Sequence, residues 1–147
     1  FISSKKVCVN FHPGLLPDYR GCGSYSWCII NREKEAGVTL HEIDCNIDSG
    51  DIINIEKTLV YPSDTAESLF FRCMDILYSM FCNYFHKIIT KSYVTAPNHG
   101  GNLYLRKDLE EAKDITRFIR AFTFKGKEDA YFHNHINQKI HIDYFGG

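Results

Sequence analysis

The chain has little that would mark it for a membrane, a metal or a nucleic acid. Its 147 residues contain no apolar run near the ~18–20 residues that a spanning helix needs, and no signal peptide is visible. A net charge of −1, with no basic stripe, gives no electrostatic handle for nucleic acid. The six cysteines, at 8, 22, 28, 45, 73 and 82, include no CxxC pair and no zinc spacing. Several sit in apolar surroundings and read as small buried hydrophobes, which fits a reducing cytoplasm. Prolines number only four, and two of them, Pro13 and Pro17, fall in one loop. With 44% apolar and 24% charged residues, the composition is that of an ordinary globular domain with a real core.

What the chain does have is concentrated near its start. From Lys5 to Phe11 the pattern is that of a strand, with Val7, Val9 and Phe11 on one face and Cys8, Asn10 and His12 on the other. Asn10 and His12 then sit side by side at the carboxyl end of a strand, where open α/β sheets bind ligands. A carboxamide can donate to a developing oxyanion while an imidazole handles a proton, which makes acyl transfer a plausible chemistry. Taken alone, Asn-x-His is short enough to match by chance and reads first as a strand end followed by a Pro-Gly turn, with His12 as a cap.

The rest of the chain reads as alternating elements. Ser24 is placed to cap a helix reaching Glu33, with Trp27 and Ile30 inward. Strands follow over Val38–Ile43 and Ile52–Val60, separated by a polar turn from Asp44 to Gly50. Asp64 and Glu67 form a capping-box pattern ahead of a long helix. Its repeat of Leu69, Phe70, Cys73, Ile76, Leu77, Met80, Phe81, Tyr84, Phe85 and Ile88 is read as core. A short charged helix over Leu109–Ala112 is expected, then one from near Asp114 with Ile115, Phe118 and Ile119 inward. Strands around Ala130–His133 and Lys139–Tyr144 close the sequence. His133, His135 and His141 come near one another there, but no carboxylate or cysteine completes a site, so no metal is expected.

Several motifs occur in a fixed order: NFHPGLLPDYRG (residues 10–21), Trp27, GVTLH (37–41) and IDSGDII (47–53). This series resembles the folate-dependent formyltransferases, the family of the glycinamide ribonucleotide, methionyl-tRNA and amino-sugar enzymes. The resemblance implies an α/β, Rossmann-like formyltransferase fold, in part, with a mixed sheet flanked by helices and a short C-terminal β-hairpin. It implies a catalytic domain over residues 1–95, and over 96–147 a linker, helix and hairpin like the start of a C-terminal module. The family's N-terminal strands would lie upstream, which suggests a C-terminal portion. An exposed first strand then favours association with another copy or with the absent half.

The resemblance also implies roles. Asn10, His12 and Asp48 match the catalytic group, with Asp51 second to Asp48 and Asp44 third; a turn carboxylate bonding its own backbone is the ordinary reading of Asp48. Asp44, Cys45, Asn46, Ile47 and Gly50 would contact the co-substrate, 10-formyltetrahydrofolate. Pro13, Gly14, Leu15, Tyr19, Arg20 and Gly21 would line the acceptor side. Gly14 stands where Ser is usual, which should soften the loop. Trp27, Asn31 and Glu33 match the WxxxNxE form of the amino-sugar enzymes, and GGNLYLRK (100–107) points the same way. The expected acceptor is therefore the amine of a nucleotide sugar. Methionyl-tRNA comes second, and a catalytically silent binding module is the reading from another class.

Overall fold

Strand β3 (Glu35–Glu42) is the middle of the main sheet, and every residue from Ala36 to His41 is buried. The computed structural model describes residues 8–105, 114–127, 130–133 and 136–142. β3 pairs antiparallel with β1 (Val9–His12) on one side and with β4 (Ile52–Leu59) on the other. Asn10 opposes His41 and His12 opposes Thr39, so these four side chains share one face. Phe11 and Leu40 oppose each other on the other face. At Leu40/His41 the register against β4 slips: Leu40 opposes Asn54 and His41 opposes Ile52.

The apolar face is covered by α2 (Ala66–Thr90), whose buried Leu69, Cys73, Leu77 and Met80 meet Val38 and Leu40. Seven of the ten residues of the expected stripe thus belong to the core: these four are buried, and Ile76, Tyr84 and Ile88 are partly buried against the cluster. Phe81 and Phe85 remain 44% and 50% exposed: Phe81 packs edge-on against Phe11 of β1, an edge strand among the described residues, and Phe85 against Phe81. The helix start also differs from expectation. Thr65, not Asp64, is the N-cap, and Ser68, not Glu67, completes the capping box. Asp64 is instead buried, accepting from the Tyr61 N–H, from Ser68 Oγ and from both terminal nitrogens of Arg72.

Smaller elements fasten the polar face. β2 (Tyr19–Gly21) pairs in parallel with β5 (Asn102–Tyr104). Ser24 begins α1 (Ser24–Ile30) rather than capping it; Gly23 holds the cap position in a left-handed conformation, and Ser24 Oγ donates to the Pro13 carbonyl. Trp27 is buried as expected, while Ile30 is only partly so. α3 (Ile115–Phe122) starts at an Asp114 cap and packs on α1, with Ser26 Oγ donating to the Ala121 carbonyl at 2.6 Å. A hairpin of β6 (Ala130–His133) and β7 (Lys139–Ile142) follows. The architecture is thus α/β: an antiparallel sheet and a parallel strand pair, flanked by helices, with a C-terminal hairpin. The expected helix at Leu109–Ala112, residues Lys5–Val7, His135 and Tyr144 lie outside the described residues.

All six cysteines are unpaired; Cys28 and Cys73 are buried, and Cys8, Cys22, Cys45 and Cys82 are exposed. No helix among the described residues is long and apolar enough to cross a membrane.

Candidate active site

On the polar face of the sheet, β1 presents Asn10 and His12 to a carboxylate from the turn between β3 and β4. Asn10 Nδ2 donates to Asp48 Oδ1 at 3.3 Å, and His12 Nδ1 lies 3.5 Å from Asp48 Oδ2. The three residues named from the sequence therefore converge. Asp48 reaches in because its backbone is left-handed, with φ of 46°, a conformation that Asp tolerates better than most residues. The Gly21 N–H donates to Asp48 Oδ2 at 2.9 Å and fixes the carboxylate.

The hydrogen bonds also assign protons. His12 Nε2 is 2.6 Å from the Tyr19 carbonyl, which can only accept, so Nε2 carries a hydrogen and Nδ1 is the basic nitrogen. Burial lowers the His12 pKa, and His41 adds to this; the Tyr19 carbonyl and Asp48 oppose it without prevailing. His12 is therefore neutral at pH 7, although the Asp48 carboxylate beside it favours the imidazolium. Burial would raise Asp48, but the His41 imidazole, the Gly21 N–H and the His12 imidazole hold it down at about 2. The resting pair is a neutral base beside a carboxylate.

Of the competing carboxylates, Asp51 is exposed and only its backbone carbonyl is engaged, by the Glu42 N–H. Asp44 Oδ1 accepts from Asn46 N and Ser49 Oγ, the local turn bonding that was the ordinary alternative for Asp48. Of the three, Asp48 is the one within reach of both Asn10 and His12. Around the turn runs a cleft of about 500 Å³, bordered by Arg20, Asp44, Asn46, Gly50, Asn98 and His99. Cys45 and Ile47 do not border it, and Ile47 is 55% exposed.

The residues expected on the acceptor side divide. Arg20 borders that cleft, whereas Leu15 and Tyr19 border a second one of about 500 Å³ with Glu33, Lys34 and Tyr104. Pro13 and Gly14 are spent on scaffold, their carbonyls accepting from Ser24 and Thr39, and Gly21 N–H is used on Asp48. Gly14 does not soften the loop. A Cβ there would lie 2.6 Å from His12 Nε2 and 2.7 Å from the Tyr19 carbonyl oxygen, so glycine is what lets those two meet. The WxxxNxE residues are scaffold too. Asn31 donates to the hydroxyls of Tyr19 and Tyr104, Tyr19 donates to Glu33 at 2.6 Å, and Trp27 packs on the Tyr104 ring. The two sequence stretches that pointed toward amino sugars thus meet in one knot.

Two residues of the site carried no role in the sequence reading. His41 faces Asn10 across the strand pair, and its place in GVTLH was the only signal. Asn98 is buried and donates to the carbonyls of Asp48 and Gly50 at 3.0 and 2.9 Å. Nothing in its neighbourhood, APNHGG, announces this contact. Asn98 Oδ1 and Arg20 Nε, both buried, have no partner among the described residues. Among the described residues no group of His, Cys, Asp and Glu could hold a metal ion.

Comparison with known proteins fits this arrangement. The chain is 51% identical over 69 residues to a GDP-perosamine N-formyltransferase of Brucella melitensis, covering 47% of this chain and 27% of that one. It is 35% identical over 147 residues to a dTDP-4-amino-4,6-dideoxyglucose formyltransferase of Mycobacterium tuberculosis, covering 92% and 62%. The crystal structure of an N-formyltransferase from Helicobacter canadensis, in complex with folinic acid and dTDP-3-aminofucose, superposes with a TM-score of 0.75 at 31% identity, over 80% and 48%. The chain thus spans less than two thirds of the length of each of these relatives. Residues 1–84 match the formyl transferase family model, and the chain belongs to that family.

Proposed function

We propose that this chain carries the catalytic group of an N-formyltransferase that moves a formyl group from 10-formyltetrahydrofolate to the amine of a nucleotide-linked amino sugar. The observation that carries this reading is the convergence of Asn10, His12 and Asp48 within 3.5 Å, from positions 38 residues apart. The named relatives act on, or are complexed with, nucleotide-linked amino sugars, which supports the acceptor class. The turn from Asp44 to Gly50 would hold the folate. The unpartnered Asn98 Oδ1 and Arg20 Nε beside it offer an acceptor and a donor that suit the polar edge of a pterin.

Attack of the amine on the formyl carbon makes a new C–N bond and places negative charge on the formyl oxygen. Asn10 Nδ2 is the donor for that oxygen. At rest its hydrogens face His41 Nε2 at 3.2 Å and Asp48 Oδ1 at 3.3 Å, and in this mechanism the oxygen takes the place of Asp48, which turns to the imidazolium. The attacking nitrogen sheds its proton to His12 Nδ1, and Asp48 Oδ2 then stabilises the imidazolium. Expulsion of the folate nitrogen, which takes up a proton, leaves the formamide. No covalent enzyme intermediate is needed, in keeping with the Cys28 and Cys73 thiols, which burial pushes up to about 12 and about 11. The test is formyl transfer followed by mass of the acceptor, over a panel of amino-sugar nucleotides, with methionyl-tRNA as the competing acceptor.

A further inference from the structure

His41 is 2% exposed, and the mechanism above gives it no proton to carry. Its Nδ1 lies 2.7 Å from the Glu42 carbonyl, which accepts only, so Nδ1 bears the hydrogen. In the neutral ring Nε2 is then a bare lone pair, 3.2 Å from Asn10 Nδ2 and 3.6 Å from Asp48 Oδ1. An acceptor on each side means that only the amino end of the Asn10 carboxamide can face inward. The register slip at Leu40/His41 sits at this residue, and such irregularities commonly re-aim a side chain beside a site.

We infer that His41 is a positioning residue, which holds the Asn10 carboxamide so that one N–H remains aimed at the reacting carbonyl. Asp48 favours the same end of the amide, but the Asp48 contact is the one that the oxyanion replaces. At that moment His41 Nε2 is the hydrogen bond that still fixes the amide plane. Without it the carboxamide turns about its own torsion, and its donor is lost to the reaction for part of the time. This inference rests on the proposed formyl transfer, and its test separates the two.

Three variants are compared with wild type: His41→Leu, which removes the acceptor; His41→Gln, which can return a carbonyl oxygen to the Nε2 position; and His41→Leu combined with Asn10→Ala. The expected result is a kcat lowered ~10–100-fold in His41→Leu, as misaligned groups commonly cost, with KM for the folate little changed. His41→Gln should recover most of the loss, and His41→Leu should cost nothing further once Asn10 is alanine. Equal losses in the Leu and Gln variants, or a full additional loss in the Asn10→Ala background, would overturn the inference. A second arm needs no activity: long-range 1H–15N NMR at neutral pH should show His41 protonated at Nδ1 and bare at Nε2. A proton on Nε2 would set N–H against N–H and end the proposal. Absence of transfer in wild type would count against the formyl-transfer reading, and the NMR result would then decide the His41 assignment alone.

Discussion

Asn98 holds Asp48 from 50 residues away: one buried carboxamide donates to the Asp48 carbonyl and to that of Gly50, straddling the left-handed turn. The Arg20 guanidinium in turn donates to the Asn98 carbonyl at 3.1 Å, so β2, the Asp48 turn and the segment before β5 are tied together. This clamp, together with its own loop, positions the Asp48 carboxylate.

Asn98→Ala should therefore loosen the turn without removing Asn10, His12 or Asp48. We expect kcat to fall ~10–100-fold, the range that misplacement by about an ångström produces. Faster amide exchange over residues 48–50 should accompany it. Unchanged kcat with unchanged exchange would show that the clamp is dispensable.

Gly14→Ala tests the contact between His12 and Tyr19. The added Cβ meets the Tyr19 backbone oxygen and His12 Nε2, so one of them must move. Overpacking of this kind costs about 1–3 kcal/mol, visible as a lower urea midpoint, and the displaced imidazole should lower kcat as well. A variant as stable and active as wild type would contradict the glycine's assigned part.

Titration of His12 should give a pKa below 6.5, since burial disfavours its charged form. The acidic limb of kcat/KM then also lies below 6.5, because the proposed mechanism uses the neutral ring as its base. Asp48→Asn removes a carboxylate that raises His12, so its pKa should fall further, and NMR follows this whether or not activity survives. For stability the sign is the same. The unfolded chain protonates His12 first, so stability declines as pH falls below 6.5 toward the folded pKa. A His12 pKa above 6.5 would refute this.

Arg72→Leu should destabilise the start of α2, for it leaves the Asp64 carboxylate, 4% exposed, without its cation. Two hydrogen bonds, from Tyr61 N–H and Ser68 Oγ, remain, which limits the cost to about 1–3 kcal/mol. Asp64 is subject to burial, which raises its pKa, but Arg72 and the other donors hold it below the usual carboxylate value. The pair's contribution is thus present above pH ~4 and lost as pH falls through the folded pKa. Urea unfolding at pH 7 and pH 3 measures both effects; a difference between wild type and variant that is the same at both would contradict the coupling.

Much of this site was legible because its chemistry lies in short motifs on regular elements. The period of two in β1 put Asn10 and His12 on one face, and IDSGD supplied a carboxylate at a turn. What stayed hidden depends on contacts between distant segments. Asn98 lies in a stretch that reads as a connection, and no local pattern says which carbonyls it will meet. Asn31 and Glu33 pointed to the amino-sugar enzymes, but the hydrogen bonds they make could not be read, since their partners, Tyr19 and Tyr104, come together only when β2 pairs with β5. At α2 the capping pattern was right in kind but displaced by one residue, because Arg72 draws Asp64 away from the cap. Periodicity also placed Phe81 and Phe85 on the apolar stripe, but a helical period cannot say how wide a face its neighbours cover.

The most direct measurement is formyl transfer from 10-formyltetrahydrofolate to a panel of amino-sugar nucleotides, read as a gain of one formyl group by mass, in wild type, Asn10→Ala, His12→Ala and Asp48→Ala. The account predicts transfer by wild type and a loss of ~100-fold or more in each variant, on the scale of a lost oxyanion donor or proton-transfer group. Transfer that persisted at the wild-type rate in the His12 and Asp48 variants would contradict it.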